Sequence, residues 1–399
     1  MNQSFEIKEL RRLCKQNEYI ENSLSVTSLE AMLTPICEDI LNETFNFNIK
    51  QIGSYFLTET LENKLILRKL NDNIKRLYKA EQANRRIIIS QIKVLLEETC
   101  PCWIIKTDIK KFYESIDRNK LLLKFKDDSM LSHYSMFLLN KLFSNITISL
   151  STGVPRGMNI SATLSEIYMR KFDRWIRESE GVFFYARFVD DIIIFINTLF
   201  DAKYIIENID IKLKELASGL TINQEKTQLF NGLIIEQINI KGENENNKKS
   251  FLEYLGYRFA KNQKELLITI ADKKIKKMKT RITFSFLDFI KNNNFNLLNN
   301  RILFLTGNYG IKKTAEGNTL KSGIFFNYPN LNNKMQLIEL TTFYRRILFC
   351  KRGKIGMALA RLSLGQRNKL KKYNFVDGFN KRIYKYFSFS KMKEIVGIW

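Results

Sequence analysis

Two adjacent aspartates interrupt a strongly apolar stretch of the chain, and they restrict the folds available to it. Asp190 and Asp191 lie in YARFVDDIIIF, residues 185–195, between aromatic and β-branched residues that favour strands. The pattern predicts a hairpin with both carboxylates at its tip. Like charges so close together repel each other unless a cation lies near them. The segment therefore holds either a solvated turn, where aspartates are common, or a bound cation.

A second acidic site precedes this hairpin in WIIKTDIKKFYESID, residues 103–117. The apolar residues predict a buried strand that ends at Asp108, followed by a helical turn. If this strand neighbours the hairpin, three carboxylates converge. The chain contains a single histidine, His133. An all-oxygen set of ligands favours Mg²⁺ or Mn²⁺ over Zn²⁺.

A glycine-rich loop and a helix lie between the two acidic sites, in GVPRGMNISATLSEIYMRKFDRWI, residues 153–176. Gly153 and Gly157 leave backbone bare, so a phosphate or base can approach it closely. Ser161 is the predicted N-cap of the helix. The helix N-terminus would then face the acidic sites and offer N–H groups to a phosphate. A loop that merely precedes a core helix is the alternative.

The charge balance favours a polyanionic partner. The chain has 65 Lys and Arg residues against 41 Asp and Glu residues, a net charge of +24. Nucleic acid or an anionic membrane surface would fit this excess, and AT-rich coding is the alternative explanation. Basic residues are dense after residue 262 and predict a basic helical lobe. The Asn-rich stretches 241–250 and 291–300 predict loops.

Other classes of protein are disfavoured. The N-terminus MNQSFEIKEL has no apolar core of a signal peptide, and no apolar run approaches the roughly 18 residues of a spanning helix. Five scattered cysteines lack paired zinc-ligand spacing. We therefore expect reduced cysteines, a cytoplasmic location and no membrane partner. A membrane-surface protein is the weakest alternative, because no lipid anchor or strongly apolar helix face accompanies the basic residues.

Five segments, in order, resemble motifs A to E of a reverse transcriptase palm: TDIKKFYESID, GVPRGMNISATLSEIYM, FVDDIIIF, LTINQEKTQLF and FLEYLGYRF. Upstream, NRRIIISQIKVLLEE resembles the fingers segment of bacterial group II intron and retron-type enzymes. The resemblance is closest to phage-defence-associated reverse transcriptases. The segments ATLSE and FLTGNYG indicate the second polymerase of type 3 defence systems as the finer assignment.

The resemblance implies an α+β right-hand polymerase with three parts. They are an N-terminal helical extension (1–60), fingers and palm (61–262), and a basic helical thumb-like C-terminal lobe (263–399). It implies a DNA polymerase that adds deoxynucleotides to a 3′-hydroxyl by two-metal phosphoryl transfer, with two Mg²⁺ or Mn²⁺ ions, in antiviral defence. The implied partners are dNTPs, an RNA template, a DNA product, a non-coding RNA and a second reverse transcriptase. The oligomeric state is left open.

Individual roles follow from the matched motifs. Asp108 and Asp190 would ligate both metal ions, with Asp191 close by and the Ile109 carbonyl as a further ligand. Lys226 would lie near the leaving pyrophosphate; otherwise it is an exposed charge. The remaining matched residues would contact the nucleotide or the primer. Lys111 and Phe112 would offer backbone N–H groups to the triphosphate, Tyr113 would be a steric gate against a 2′-hydroxyl, Arg85 and Arg86 would clamp the triphosphate, and Leu255, Gly256 and Tyr257 would form the primer grip. Most of these roles have an alternative. Tyr113 would be a core tyrosine, Arg85 and Arg86 would lie on a solvated helix face, and residues 255–257 would form an ordinary strand.

Two departures from the family pattern leave the mode of synthesis open. Arg156, next to Gly157, replaces the usual glutamine beside the nascent base pair, and a cation there binds phosphate but pairs differently with bases. The insert before motif A is shortened to TCPCWIIKT. Template-independent or protein-primed synthesis is therefore an alternative. A nucleic-acid-binding scaffold with a vestigial palm is a second alternative, although the intact aspartates count against it.

Overall fold

The computed structural model describes residues 2–98, 100–238, 249–261, 265–312 and 319–399. The chain divides into two compact units, Met1–Lys248 and Lys249–Trp399. The segment FLEYLGYRF therefore lies in the second unit, whereas its resemblance to motif E groups it with the palm. No described helix combines the length and apolar character needed to cross a membrane.

The first unit combines helices with a hairpin and a five-stranded sheet. Its helices are α1 (Ile7–Arg11), α2 (Gln16–Glu21), α3 (Val26–Leu41), α4 (Leu61–Leu77), α5 (Arg85–Glu97), α6 (Arg118–Asp128), α7 (His133–Ser144), α8 (Ile146–Ser149), α9 (Asn159–Glu178) and α10 (Ala202–Leu216). Its strands are β1 (Ile49–Ile52), β2 (Tyr55–Thr58), β3 (Cys102–Asp108), β4 (Val182–Phe188), β5 (Asp191–Asn197), β6 (Gln228–Asn231) and β7 (Glu236–Ile238). A 3₁₀ turn covers Tyr113–Ser115.

The five-stranded sheet has the order β4-β5-β3-β6-β7, and all its neighbours are antiparallel. The predicted hairpin is confirmed, since β4 and β5 pair and Val189 and Asp190 join them. Residues 192–196 of β5 are all fully buried. A central strand covered on both faces accounts for this unbroken apolar run. It also explains why the charged residues lie at the end of the strand.

The N-terminal extension is only partly helical. Strands β1 and β2 pair from Ile49 opposite Thr58 to Ile52 opposite Tyr55, and the turn contains Gly53 with a φ of +60°. Glycine adopts this left-handed conformation without a side-chain clash. The prediction of an all-helical segment through residue 60 was thus wrong for residues 49–58. Strands of four residues are too short for periodicity to separate them from helix.

The second unit is mainly helical, with two small sheets. Its helices are α11 (Asp272–Asn292), α12 (Phe295–Thr306), α13 (Ile324–Asn327), α14 (Met335–Leu348), α15 (Gly353–Ala360), α16 (Leu364–Lys371), α17 (Phe375–Asn380) and α18 (Phe389–Val396). Its strands are β8 (Leu252–Tyr254), β9 (Tyr257–Lys261), β10 (Leu266–Ile270), β11 (Asn308–Lys312), β12 (Thr319–Gly323) and β13 (Tyr384–Tyr386). The sheet orders are β10-β9-β8 and β12-β11-β13.

The Asn-rich stretch 291–300 is not a loop, so that prediction was wrong. Helix α11 ends at Asn292 and α12 begins at Phe295. Asn293 takes a left-handed conformation with a φ of +48°, and the Asn294 side chain accepts from the Leu297 amide at 3.0 Å. These asparagines cap the two helix ends. Most of the other stretch, 241–250, lies outside the described residues.

Candidate active site

Strand pairing brings the three aspartates to one end of the central strands. Asp108 ends β3, Asp191 begins β5, and the two are partners in register. The Ile109 amide donates to the Asp190 carbonyl oxygen at 3.1 Å, which joins the end of β3 to the β4–β5 turn. The neighbouring strands that the sequence argument required are therefore present. The roles of the carboxylates stay predictions.

Lys226 provides a positive charge at this site. Its Nζ lies 2.8 Å from Asp108 Oδ2, although the lysine side chain is 67% exposed. The hydrogen bond to Asp108 raises the pKa of Lys226. The other oxygen of the same carboxylate, Oδ1, is buried and has no hydrogen-bond partner among the described residues. A buried acceptor without a partner is unfavourable unless a donor or cation reaches it.

The other two carboxylates are destabilised as anions. Burial raises the pKa of Asp190. Burial, together with the charge of Asp190, raises the pKa of Asp191 to about 6. Within the described ranges, no three His, Cys, Asp or Glu side chains lie close enough together to hold a metal ion. The three aspartates are therefore neighbours at one end of the sheet, but in the described residues they are not assembled as a set of metal ligands.

The donor set nevertheless fits a hard cation. It consists of carboxylate and carbonyl oxygens, which Mg²⁺ and Mn²⁺ prefer. A cation would satisfy the orphaned Asp108 oxygen and would lower the raised pKa values of Asp190 and Asp191.

The turn after β3 presents backbone groups near these aspartates. Lys111 has a φ of +46°, and the amides of Lys111 and Phe112 donate to no other residue in the described part of the chain. Tyr113 is partly buried and packs against the hydrophobic core of the first unit. Its steric-gate role stays a prediction. Burial of its hydroxyl and the nearby Asp190 charge raise the pKa of Tyr113.

The glycine-rich loop packs directly against this turn. Gly153 has a φ of +66°, and a Cβ there would lie 2.0 Å from the Tyr113 carbonyl oxygen. The Val154 amide donates to the same oxygen at 2.8 Å. Only glycine fits this approach. The loop is also supported from the other side, since the Phe56 amide donates to the Arg156 carbonyl oxygen at 2.8 Å.

Arg156 is an ion-pair partner in this structure. Its guanidinium lies 3.2 Å from a carboxylate oxygen of Glu114 and 6.0 Å from the centre of the Tyr113 ring. A salt bridge from Arg156 to a neighbouring carboxylate, holding the loop, is an alternative to a nucleotide-binding role, and Glu114 is that carboxylate. Its position directly after the predicted steric gate was the available signal.

The predicted N-cap was wrong. Helix α9 begins at Asn159, and Met158 occupies the N-cap position. Ser161 is buried inside the first turn, and its hydroxyl donates to the Pro155 carbonyl oxygen at 2.6 Å. Ser161 therefore ties the glycine-rich loop to the helix instead of capping it.

Arg85 and Arg86 begin α5, where the Asn84 side chain caps the helix by accepting from the Arg86 amide at 2.9 Å. Arg86 lines an open cavity of about 590 Å³ together with Phe184 and both apolar and polar residues of α5, Ser90 and Gln91 among them. None of the three aspartates lines that cavity. The proposed triphosphate contact of both arginines stays a prediction.

The predicted primer-grip residues form a tight hairpin turn in the second unit. Leu255 and Gly256 have φ values of +45° and +84°, and Tyr254 pairs with Tyr257 across the turn. Two consecutive positive φ values are typical of a two-residue hairpin loop. The Tyr257 ring is buried, and its hydroxyl donates to the Asn327 carbonyl oxygen at 3.2 Å. The primer role stays a prediction.

Sequence reasoning missed a buried arginine behind the β4–β5 turn that carries Asp190. Arg187 is only 6% exposed and lies in β4, three residues before Asp190. It pairs with Glu166 and Asp173 of α9. A charged residue inside an apolar strand was the available signal, because buried arginines need partners.

Comparisons with known proteins agree with the sequence motifs. A family model described as "Reverse transcriptase (RNA-dependent DNA polymerase)" matches residues 57–259. No curated protein matches the chain.

Telomerases are among the similar solved structures. Apo telomerase from Candida tropicalis, truncated from its C-terminal domain, shares 14% identity with a TM-score of 0.34, covering 52% of this chain and 44% of that one. Telomerase from Candida albicans with the TWJ fragment of telomeric RNA shares 14% identity with a TM-score of 0.36, covering 84% and 53%. Apo telomerase from Candida tropicalis shares 12% identity with a TM-score of 0.39, covering 71% and 49%. This chain thus spans about half the length of each.

The family match covers just over half of the chain. It includes Asp108 at the end of β3, Asp190 and Asp191 at the β4–β5 turn, the glycine-rich loop and Lys226. The chain therefore belongs to the reverse transcriptase family of RNA-dependent DNA polymerases.

Proposed function

We propose that this protein is a DNA polymerase that adds deoxynucleotides to a 3′-hydroxyl, with RNA as template. The observation that carries the proposal is the pairing of Asp108 with Asp191, beside Asp190, at the end of the two central strands. The family match to residues 57–259 supports the same chemistry. Positioning and charge neutralisation supply most of the rate in phosphoryl transfer.

Asp108 and Asp190 would hold two Mg²⁺ or Mn²⁺ ions, with Asp191 close by and the Ile109 carbonyl as a further ligand. Asp108 Oδ1, which has no hydrogen-bond partner in the part of the chain that the structure describes, supports a cation here, and so do the raised pKa values of Asp190 and Asp191. When bound, the ions would lower the pKa of the attacking hydroxyl and neutralise the leaving pyrophosphate.

Lys226 would act on the leaving-group side. Its ammonium now occupies Asp108 Oδ2, where it competes with a cation for the same oxygen. Because the side chain is largely exposed, Nζ is able to leave this carboxylate and supply a positive charge and a proton to the pyrophosphate.

The turn after β3 would select and hold the nucleotide. The amides of Lys111 and Phe112 would donate to the triphosphate, as anions favour exposed backbone N–H groups. The partly exposed ring of Tyr113 would exclude a 2′-hydroxyl and so favour deoxynucleotides. Gly157 and Arg156 would line the other side of the nucleotide, and Arg85 and Arg86 would add positive charge.

Template-independent or protein-primed synthesis is the second candidate, because Arg156 replaces the glutamine of the family; the Arg156–Glu114 ion pair fits equally a residue that only holds the loop. A cation held beside Tyr113, where the family has a glutamine next to the nascent base pair, alters that side of the site. From the sequence resemblance alone, we further infer a role in anti-phage defence; the cytoplasmic location is inferred from the reduced cysteines that the sequence predicts. That role would involve a non-coding RNA and a second reverse transcriptase.

The test is the double variant Asp190→Ala/Asp191→Ala. We expect it to fold but to lose magnesium-dependent incorporation of dNTPs, with or without an RNA template. Asp201→Asn is the matched control, since Asp201 is an exposed carboxylate that caps α10 in the same unit. Full incorporation by the double variant would refute the polymerase proposal.

A further inference from the structure

A buried ionic cluster lies directly behind the turn that carries Asp190. The Arg187 guanidinium is bidentate with Asp173, with Nε and Nη2 both 2.8 Å from carboxylate oxygens. Nη2 and Nη1 also donate to Glu166 at 2.8 and 3.2 Å. Both acids belong to α9, the helix that follows the glycine-rich loop. The Tyr185 hydroxyl completes the cluster by donating to Asp173 at 2.6 Å.

One hydrogen bond of this arginine reaches the β4–β5 turn, which carries Asp190. Nη1 donates to the Val189 carbonyl oxygen at 2.9 Å. With this bond, all five N–H donors of the guanidinium have acceptors. The two carboxylates occupy four of these donors, and the fifth is used to hold the backbone of Val189.

Val189 has a strained backbone. Its φ is +62°, a left-handed conformation that is an outlier for a β-branched residue. Strained residues persist only where surrounding contacts hold them, and they cluster at functional sites. The next residue is Asp190, whose carbonyl oxygen accepts from Ile109 at the end of β3.

We propose that Arg187 is a positioning residue for the polymerase reaction. By holding the Val189 carbonyl, it fixes the left-handed turn that places Asp190 and Asp191 opposite the end of β3. The inference rests on the proposed function, because it concerns the geometry of that site. A lysine at this position cannot reproduce the role, since it has three donors and lacks the planar fork.

The experiment is a double-mutant cycle of Arg187→Lys and Val189→Gly, with single-dNTP incorporation measured against Mg²⁺ concentration. We expect Arg187→Lys to raise the half-saturating Mg²⁺ concentration and to lower kcat on the order of 10- to 100-fold. The KM for the dNTP should change far less. Glycine adopts a positive φ without strain, so adding Val189→Gly should restore part of the loss.

Arg301→Lys is the matched control in the second unit. Arg301 is also buried, pairs with Asp288 and donates to the carbonyl oxygens of Glu394 and Ile395. A merely structural role predicts that both lysine variants lose thermal stability alike and leave the magnesium midpoint unchanged. A folded Arg187→Lys with wild-type kcat and a wild-type midpoint, or losses that Val189→Gly does not reduce, would overturn the proposal.

The failure of the proposed function gives a different result. If the wild type incorporates no nucleotide, the polymerase proposal fails. The positioning role is then measured by magnesium binding in a thermal-shift titration, and equal affinity in wild type and Arg187→Lys would refute it. If Arg187→Lys does not fold, Arg187→Gln with Glu166→Gln removes the cation together with one of its acids. For that variant too, a wild-type kcat with a wild-type magnesium midpoint, or losses that Val189→Gly does not reduce, would overturn the positioning role.

Discussion

Replacing Asp191 with asparagine should stabilise the metal-free protein while abolishing incorporation. Burial and the charge of Asp190 raise the pKa of Asp191 from 3.8 to about 6. Asp108 adds to this effect, whereas Lys106 and Lys226 oppose it. The charged carboxylate therefore costs folding free energy at neutral pH, and an amide of the same shape removes that charge.

The magnitude follows from linkage between protonation and folding. A pKa difference of about two between the folded and unfolded states corresponds to about 3 kcal/mol. Because the Asp191 side chain is only partly buried, solvent screening reduces this value, and we expect about 2 kcal/mol at pH 7. The stability that the protonated form confers is fully present below pH 4 and is lost as the pH rises through about 6. The gain from Asp191→Asn should therefore fall below about 1 kcal/mol at pH 4.5.

The assay is denaturant unfolding of the full chain in EDTA at both pH values. For a unit of this size the gain at pH 7 corresponds to roughly 4–8 °C in Tm. Asp201→Asn is the control, because asparagine and aspartate are comparable N-caps, and its free energy of unfolding should stay within about 0.5 kcal/mol of wild type. A loss of stability at pH 7, or an equal gain at both pH values, would show that Asp191 is not electrostatically strained.

Three further predictions concern substrate choice and nucleic acid. Tyr113→Ala should raise the ratio of ribonucleotide to deoxynucleotide incorporation at least about tenfold, since one steric clash is worth about 1–3 kcal/mol. An unchanged ratio would show that Tyr113 is not a steric gate. Arg156→Gln should change the preference among single dNTPs by about ten- to a hundredfold, with or without RNA, and identical preferences in both proteins would exclude Arg156 from substrate choice. Replacing the exposed residues Lys273, Lys276 and Lys277 with glutamine should weaken binding to RNA or DNA and lower the slope of log affinity against log salt by about 1 for each phosphate that a lysine neutralised. A flat salt response of the wild-type protein would count against a polyanion site on α11.

The sequence by itself determined the local elements of the site. The apolar runs around Asp108 and Asp190 predicted the strand and the hairpin, and the structure places them at Cys102–Asp108 and on either side of Val189–Asp190. Such patterns are readable because burial on both faces of a strand imposes an unbroken apolar run. The order of the five motifs then indicated the family, which the match to residues 57–259 confirms.

The secondary structure of short segments that contain capping or turn residues could not be predicted in the same way. The hairpin 49–58 has strands of four residues, which is too short for a period to emerge. Asn293 and Asn294 cap two helix ends, and asparagine is common in loops as well as at such caps. In both cases the local signal fits two structures, and contacts elsewhere in the unit decide between them.

Only the tertiary structure decided the partners of the charged residues. The pairing of Arg156 with Glu114, of Lys226 with Asp108, and of Arg187 with the acids of α9 depends on how distant segments pack. A charged side chain in a sequence shows that a partner is needed once it is buried, but it does not show which one. The strain at Val189 is likewise invisible in the sequence. A β-branched residue such as Val189 disfavours a positive φ, but a hydrogen bond from Arg187 to its carbonyl oxygen stabilises this conformation. The Arg187 guanidinium is held in turn by acids of a separate helix.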